Sequence, residues 1–103
     1  MNNNTLFLPL KKEWYDMIES GEKTEEYREV KAYWAKRLFA PGLQDSSKGF
    51  NFKTFDAITF SYGYTKRTMT FECKGIDIDT GIPEWGAEPG REYFVIKLGD
   101  RLK

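Results

Sequence analysis

Residues 5–28, TLFLPLKKEWYDMIESGEKTEEYR, decide the fold because two hydrophobic periods meet within them. The first six residues carry Leu6, Leu8 and Leu10 at a spacing of two, which predicts a first strand that ends near Pro9. Residues 11–20 then place Trp14, Met17 and Ile18 at a spacing of three and four, which predicts a short amphipathic helix. Gly21 follows where a left-handed residue ends helices, so the helix is predicted to stop there.

The next segment alternates again and then returns to helical spacing. Thr24 to Arg28 is predicted to be a strand, with Glu26 and Arg28 on one of its faces. Val30 to Phe39 is predicted to be a second helix, whose apolar side is formed by Val30, Tyr33, Trp34 and Leu38. Residues 44–53 are rich in Ser, Asp, Asn, Gly and Lys and are predicted to form a loop, with Phe50, Phe52 or Phe55 as anchors.

The second half of the chain is predicted to be sheet. Residues 58–62, 69–79 and 92–98 alternate apolar and polar side chains, with glycines and a Gly/Pro-rich loop over 81–91 between them. The order of strand, helix, strand, helix and meander predicts one mainly β domain over residues 1–103, α+β by content. Its expected form is a small β-barrel or strongly curved sheet with two short flanking helices.

Composition excludes several classes of chemistry. The chain has 103 residues, 16 basic and 16 acidic side chains, one cysteine and no histidine. It therefore has no internal disulfide framework, no multi-cysteine metal site and no histidine base. We predict no cofactor and no metal. The polar start Met1-Asn2-Asn3-Asn4 carries no signal peptide, and no apolar run is long enough to span a membrane, so a cytoplasmic location without a membrane partner is expected.

Polar side chains are densest over residues 21–28, GEKTEEYR. A glycine turn lets Lys23 emerge between helix and strand, and Glu26 can pair with Arg28 two residues later. An arginine held by a carboxylate is preorganised to bind phosphate or carboxylate groups, and a partly buried lysine beside it has a lowered pKa. The alternative is structural: a helix end followed by a solvated, charged strand.

The pattern Gly21-x-Lys23-x-x-Glu26-x-Arg28, preceded by Lys11 at the end of a strand, resembles the signature of the ASCH family of the PUA-like superfamily. The resemblance covers residues 6–28 and, by strand pattern, the closing strand over 93–99. It implies a PUA-like β-barrel whose motif residues line a cleft that binds RNA or a modified nucleoside. The motif residues implied to contact the ligand are Lys11, Gly21, Lys23, Glu26 and Arg28.

Some members of that family are amidohydrolases that remove an acyl group from N4 of a modified cytidine. They use the motif lysine, a threonine three residues later and a distant glutamate. Here Glu26 occupies the threonine position, and Glu72, Glu84 and Glu88 are all candidates for the distant acid. An RNA- or nucleotide-binding module is therefore the favoured hypothesis. A hydrolase with Lys23 and Glu26 as catalytic groups is the alternative, and an adaptor that binds protein is a third.

Two loops contain further candidate contacts. Trp85 lies in the Gly/Pro-rich loop as either a stacking platform or a plug that anchors the loop, and Arg91 at its end is a candidate phosphate contact. The turn over residues 62–67, YGYTKR, interleaves aromatic and cationic side chains, as single-stranded nucleic-acid sites do, but is equally an ordinary hairpin.

Two other features favour structural roles. Asp77 and Asp79 resemble a carboxylate pair for a metal, although the spacing is common on solvated strands. Cys73 alternates with apolar residues and is predicted to fill the core.

Overall fold

The computed structural model describes residues 4–40 and 51–103. Within these residues, five strands and two α-helices follow in the order β1, α1, β2, α2, β3, β4, β5. Their bounds are Thr5–Leu10 (β1), Lys12–Glu19 (α1), Glu25–Glu29 (β2), Ala32–Leu38 (α2), Ala57–Tyr62 (β3), Thr68–Thr80 (β4) and Glu92–Arg101 (β5). A 3₁₀ turn over Pro83–Trp85 interrupts the loop before β5.

The strands form one curled sheet in the order β1-β3-β4-β5-β2, with the two chain-early strands at its edges. β1 pairs parallel with β3, and the other three pairings are antiparallel. β4 is long enough to pair with β3 through its first half and with β5 through its second. Register shifts between Phe71 and Gly75 separate the two halves, and irregularities of this kind bend a strand. The predicted fold class, a small mainly β domain with two short helices, is confirmed.

The curl brings the two edge strands to the same side of the molecule. The guanidinium Nη2 of Arg28, on β2, donates a hydrogen bond to the carbonyl oxygen of Pro9, on β1, at 3.3 Å. This contact spans the gap between the edges of the sheet, and we call that gap the seam. Residues 11 and 23–28, which the sequence singles out, all lie beside it.

The main core fills the concave side of the sheet. It contains the predicted inward side chains of β1 together with side chains from both helices and the other strands: Leu6, Leu8, Leu10, Tyr15, Ile18, Leu38, Phe60, Met69, Phe94, Ile96 and others. Cys73 packs against this cluster, and burial raises the pKa of its thiol, as expected for a side chain that fills the core. Phe55 is buried and Phe52 stacks on Phe39, whereas residues 44–50 of the predicted loop lie outside the described residues.

The faces of the two helices differ from the sequence prediction. In α1 the buried residues are Tyr15 and Ile18, while Trp14 is only half-buried. In α2 the helix begins two residues later than predicted, and Val30 and Tyr33 are exposed. Fewer apolar side chains of each helix are therefore buried than the helical period alone implies.

A second, smaller core lies on the opposite face of β2 and β5. Tyr27, Tyr93, Val95 and Ala87 are buried there, and Trp85 packs against them. The loop over residues 81–91 covers this face, which is why β5 is buried on both sides from residue 93 to residue 96. The sequence pattern predicted burial on only one of these sides.

Candidate functional site

A glycine turn positions Lys23 at the seam. Gly21 adopts φ +87°, a left-handed conformation that glycine adopts without steric cost, and its amide donates to the carbonyl of Ile18. The amide of Lys23 then donates to the carbonyl of Met17 at 3.0 Å. These two bonds satisfy the end of α1 and direct the Lys23 side chain back under the helix.

Lys23 and Glu26 form a buried ion pair. The Nζ atom of Lys23 lies 2.7 Å from Oε1 of Glu26, and the two residues are 2% and 4% exposed. Lys23 Nζ also donates to the carbonyl oxygen of Trp85 at 2.8 Å and lies 4.4 Å from the ring centroid of Trp14. Burial lowers the pKa of Lys23, because the loss of hydration outweighs the attraction of Glu26.

Arg28 contacts the other oxygen of the same carboxylate. Its Nη1 lies 2.9 Å from Oε2 of Glu26 and also donates to the carbonyl of Tyr27 at 2.8 Å. Oε1 of Glu26 additionally accepts a bond from the Tyr27 amide at 3.1 Å. The predicted pairing of Glu26 with Arg28 is therefore confirmed, and one carboxylate holds two cations.

Most of the spare hydrogen-bonding capacity of this cluster is donor. An ammonium has three N–H bonds and a guanidinium five, and only some of them point to Glu26 and to backbone carbonyls. Both oxygens of Glu26 are engaged. A ligand that reaches Lys23 and Arg28 therefore meets hydrogen-bond donors and an excess of one positive charge, which favours carbonyl, carboxylate or phosphate groups.

A cavity of about 470 Å³ opens above the cluster, and we call it the cleft. Aromatic rings form much of its wall: Trp14, Tyr27, Trp34, Trp85 and Tyr93. Five basic and three acidic residues among the described part of the chain line it: Lys11, Lys23, Arg28, Lys31, Arg91, Glu26, Glu29 and Glu88. The lining therefore combines flat apolar surfaces with an excess of two positive charges.

The rim of the cleft is a loose network of exposed charges. Glu29 lies 3.6 Å from Lys31 and 3.7 Å from Arg91, and Arg91 also lies 3.7 Å from Glu88. Because these side chains are about half-exposed, the pairs are weak and exchange partners at little cost. An anionic ligand therefore competes directly with Glu29 and Glu88 for Arg91.

The loop that carries Trp85 is held against β2 and β5 by two tyrosines. The hydroxyl of Tyr27 accepts a bond from the Ile82 amide at 3.0 Å, and that of Tyr93 accepts from the Glu88 amide at 2.9 Å. Trp85 itself is half-buried on the second core and also lines the cleft. The anchoring role is therefore confirmed, and the position of the ring at the cleft leaves the stacking role a prediction.

The structure brings six of the seven predicted contact residues to the cleft. Lys11, Lys23, Glu26, Arg28, Trp85 and Arg91 line it, whereas Gly21 is not among the described lining residues and shapes the turn instead. Of the three candidate distant acids, Glu88 lines the cleft and Glu72 and Glu84 do not. Seven of the described lining residues were not predicted from the sequence: Trp14, Tyr27, Glu29, Lys31, Trp34, Gly86 and Tyr93. The first five lie within or close to the charged motif in the sequence, and this proximity was the available signal.

The other predicted features have structural partners. Arg67 of the turn over 62–67 pairs with Glu19 at 3.1 Å and lies about 5 Å from the rings of Tyr15 and Tyr62, so it fastens the turn to α1. Asp77 pairs with Lys97 at 3.5 Å. Among residues 4–40 and 51–103, no group of three or more potential ligands is arranged for a metal, and no helix is long and apolar enough to cross a bilayer.

The fold and the cleft together define a small, mainly β domain with an aromatic-walled, cation-lined site at the seam of a curled sheet. No protein-family model, curated protein or solved structure matches the chain.

Proposed function

We propose that this protein is a binding module that holds a nucleotide unit of single-stranded RNA in the cleft. The observation that carries the proposal is the convergence of the Lys23, Glu26 and Arg28 cluster with the rings of Trp14, Trp34 and Trp85 around one cavity. Aromatic faces stack on bases, and nearby cations neutralise phosphates. This is also the function that the resemblance to the ASCH family implies.

The arrangement of charge supports binding in two ways. The buried cluster is fixed by Glu26 and by backbone carbonyls, so its donors are already oriented before a ligand arrives. The rim cations Lys31 and Arg91 are exposed and weakly paired, which suits phosphate contacts that depend on salt. In this arrangement the polar edge of the base meets the N–H groups of Lys23 and Arg28, and the phosphate meets Lys31 and Arg91 at the rim.

The test titrates the purified protein separately with uridine 5′-monophosphate and with hexauridylate at several salt concentrations. Binding is measured by the change in tryptophan fluorescence. We expect affinity that falls as salt rises and that is weakened by Lys31→Ala, Arg91→Ala and Arg28→Ala. The matched control is Lys36→Ala, which removes the same charge from an exposed position of α2 that does not line the cleft. Equal affinity of the rim variants, Arg28→Ala and the control would refute the proposal.

An amidohydrolase that acts on an N4-acylated cytidine is the second candidate. Two observations favour it: the lowered pKa of Lys23, which increases the fraction of its amine in the neutral form that can accept a proton, and the position of Glu88 in the same cleft. The engagement of both Glu26 oxygens favours binding instead, because this carboxylate already anchors two cations. Incubation of the protein with N4-acetylcytidine, with the products measured by mass spectrometry, distinguishes the two candidates. If the wild type releases cytidine and acetate and the Lys23→Arg variant does not, the hydrolase is supported. If the wild type leaves the substrate intact, the hydrolase is rejected.

A further inference from the structure

Two aromatic side chains on the outer face of the sheet are left uncovered. Phe7 of β1 is 70% exposed, and Tyr64 of the turn after β3 is 97% exposed. Both line one shallow depression of about 220 Å³ with residues of β1, β3 and β4: Leu8, Pro9, Thr59, Ser61 and Thr68. We call this surface the outer patch. Rings this exposed contribute little to the core, so folding does not explain them.

The outer patch is continuous with the cleft. A second depression of about 220 Å³ shares Lys11, Trp14, Glu26 and Arg28 with the cleft and shares Pro9 with the outer patch. Phe7 and Pro9 are two residues apart on one strand, a rise of about 7 Å. The amide of Gly63 donates to the carbonyl of Leu10, which holds the turn that carries Tyr64 against the end of β1. A path along β1 therefore joins the buried donors to the outer rings.

The charges along this path suit a polyanion. Lys11 lines the cleft and Lys66 lies in the same turn as Tyr64, and within the described part of the chain neither forms an ion pair. Neighbouring cations are engaged: Lys12 with Asp16 and Arg67 with Glu19. Unpaired cations beside exposed rings are the pattern by which proteins bind single strands. The hydroxyls of Thr59, Ser61 and Thr68 add hydrogen-bonding groups between the rings.

We propose that the outer patch is a second nucleotide subsite. One nucleotide of single-stranded RNA occupies the cleft, and the strand then passes over Pro9, so that a neighbouring base stacks on Phe7 and Tyr64. This inference rests on the proposed function and sharpens it: the ligand is a chain of nucleotides rather than a free mononucleotide.

The test compares uridine 5′-monophosphate with hexauridylate by isothermal titration calorimetry. We expect Phe7→Ala and Tyr64→Ala each to weaken hexauridylate binding about 5- to 150-fold, the range for loss of one stacked base, and to leave mononucleotide binding unchanged. Tyr64→Phe is the matched control: it keeps the ring and should bind hexauridylate like the wild type. Because both rings are exposed, these variants should fold normally, which circular dichroism checks.

Three outcomes would overturn the inference. If the mononucleotide binds and the alanine variants bind hexauridylate as well as the wild type does, the second subsite is wrong and the proposed function stands. If neither probe binds, both fail. If sedimentation shows a dimer that Phe7→Ala abolishes and hexauridylate does not displace, the outer patch is a self-association surface instead.

Discussion

The ammonium group of Lys23 lies 2.7 Å from a carboxylate oxygen of Glu26, and both side chains are almost completely buried at the point where β2 begins. Arg28 holds the second oxygen of that carboxylate at 2.9 Å. One negative charge therefore stabilises two positive charges under the cleft. Loss of Glu26 is therefore expected to disturb both the fold and the site.

Replacement of Glu26 by glutamine is expected to destabilise the protein by about 3–5 kcal/mol, because it leaves Lys23 buried without a counter-charge. Urea denaturation at neutral pH measures the change in the free energy of unfolding. Glu22→Gln is the control, since Glu22 is exposed and its side chain has no ion pair among the described residues; it should change stability by less than about 0.5 kcal/mol. Similar stabilities for the two variants would contradict the structural role of Glu26.

The lowered pKa of Lys23 predicts a dependence of stability on alkaline pH. The unfolded chain keeps the Lys23 proton up to the ordinary pKa of 10.5, while the folded chain loses it at lower pH. Between those two pKa values the unfolded state binds more protons, so Lys23 makes the free energy of unfolding rise with pH. Below the lowered pKa, Lys23 is charged in both states, and the cost of burying that charge lowers the free energy of unfolding by its full amount.

The measurement is the difference in unfolding free energy between the wild type and Lys23→Met, taken between about pH 8 and pH 11. The difference should increase towards pH 10.5 and then level off. Tyr27, whose pKa burial raises, acts in the opposite direction above pH 10 but is present in both proteins and cancels. If the difference in unfolding free energy stays constant with pH, burial does not lower the pKa of Lys23.

Gly86→Ala is expected to impair ligand binding by displacing Trp14. A Cβ atom at Gly86, where φ is +104°, would lie 2.9 Å from Cζ2 of the Trp14 ring, so the ring or the loop must shift, and we expect the ring to leave its place in the wall of the cleft. Loss of one stacking surface should weaken nucleotide binding about tenfold. Fluorescence titration with uridine 5′-monophosphate measures this change.

The matched control is Gly90→Ala in the same loop. Gly90 also has a positive φ, +79°, but a Cβ there meets nothing within 4 Å. Both variants should lose about 1–2 kcal/mol of stability from backbone strain, and only Gly86→Ala should lose affinity. If the two variants bind uridine 5′-monophosphate with equal affinity, Trp14 does not contact the ligand.

Tyr27→Phe is expected to loosen the loop over residues 81–91, because the Ile82 amide loses its acceptor. Hydrogen exchange at Ile82 should accelerate, and stability should fall by about 1–2 kcal/mol. Tyr93→Phe is the companion variant, and it should release the Glu88 amide instead. If neither substitution accelerates exchange at its own amide, the two hydroxyls do not hold the loop.

Local patterns predicted the elements that depend on local periods. The alternation of Leu6, Leu8 and Leu10 predicted β1, with an end near Pro9 where the strand in fact ends at Leu10, because side chains of a strand alternate between faces wherever it lies in the fold. The spacing of two between Glu26 and Arg28 predicted their pairing for the same reason. The end of α1 before Gly21 could be predicted because glycine adopts a left-handed backbone conformation without steric cost.

The cleft required the tertiary structure. The period of α1 placed Trp14 on an apolar side, but whether that side meets a core or a cavity depends on what packs opposite it, and here Lys23 and Gly86 do. The bond from Lys23 to the carbonyl of Trp85 joins residues 62 positions apart, which no local pattern contains. By itself, then, the sequence determined the strands, the turn and the charged motif. Only the curl of the sheet, by bringing β1 and β2 together at the seam, decided that these residues surround one site.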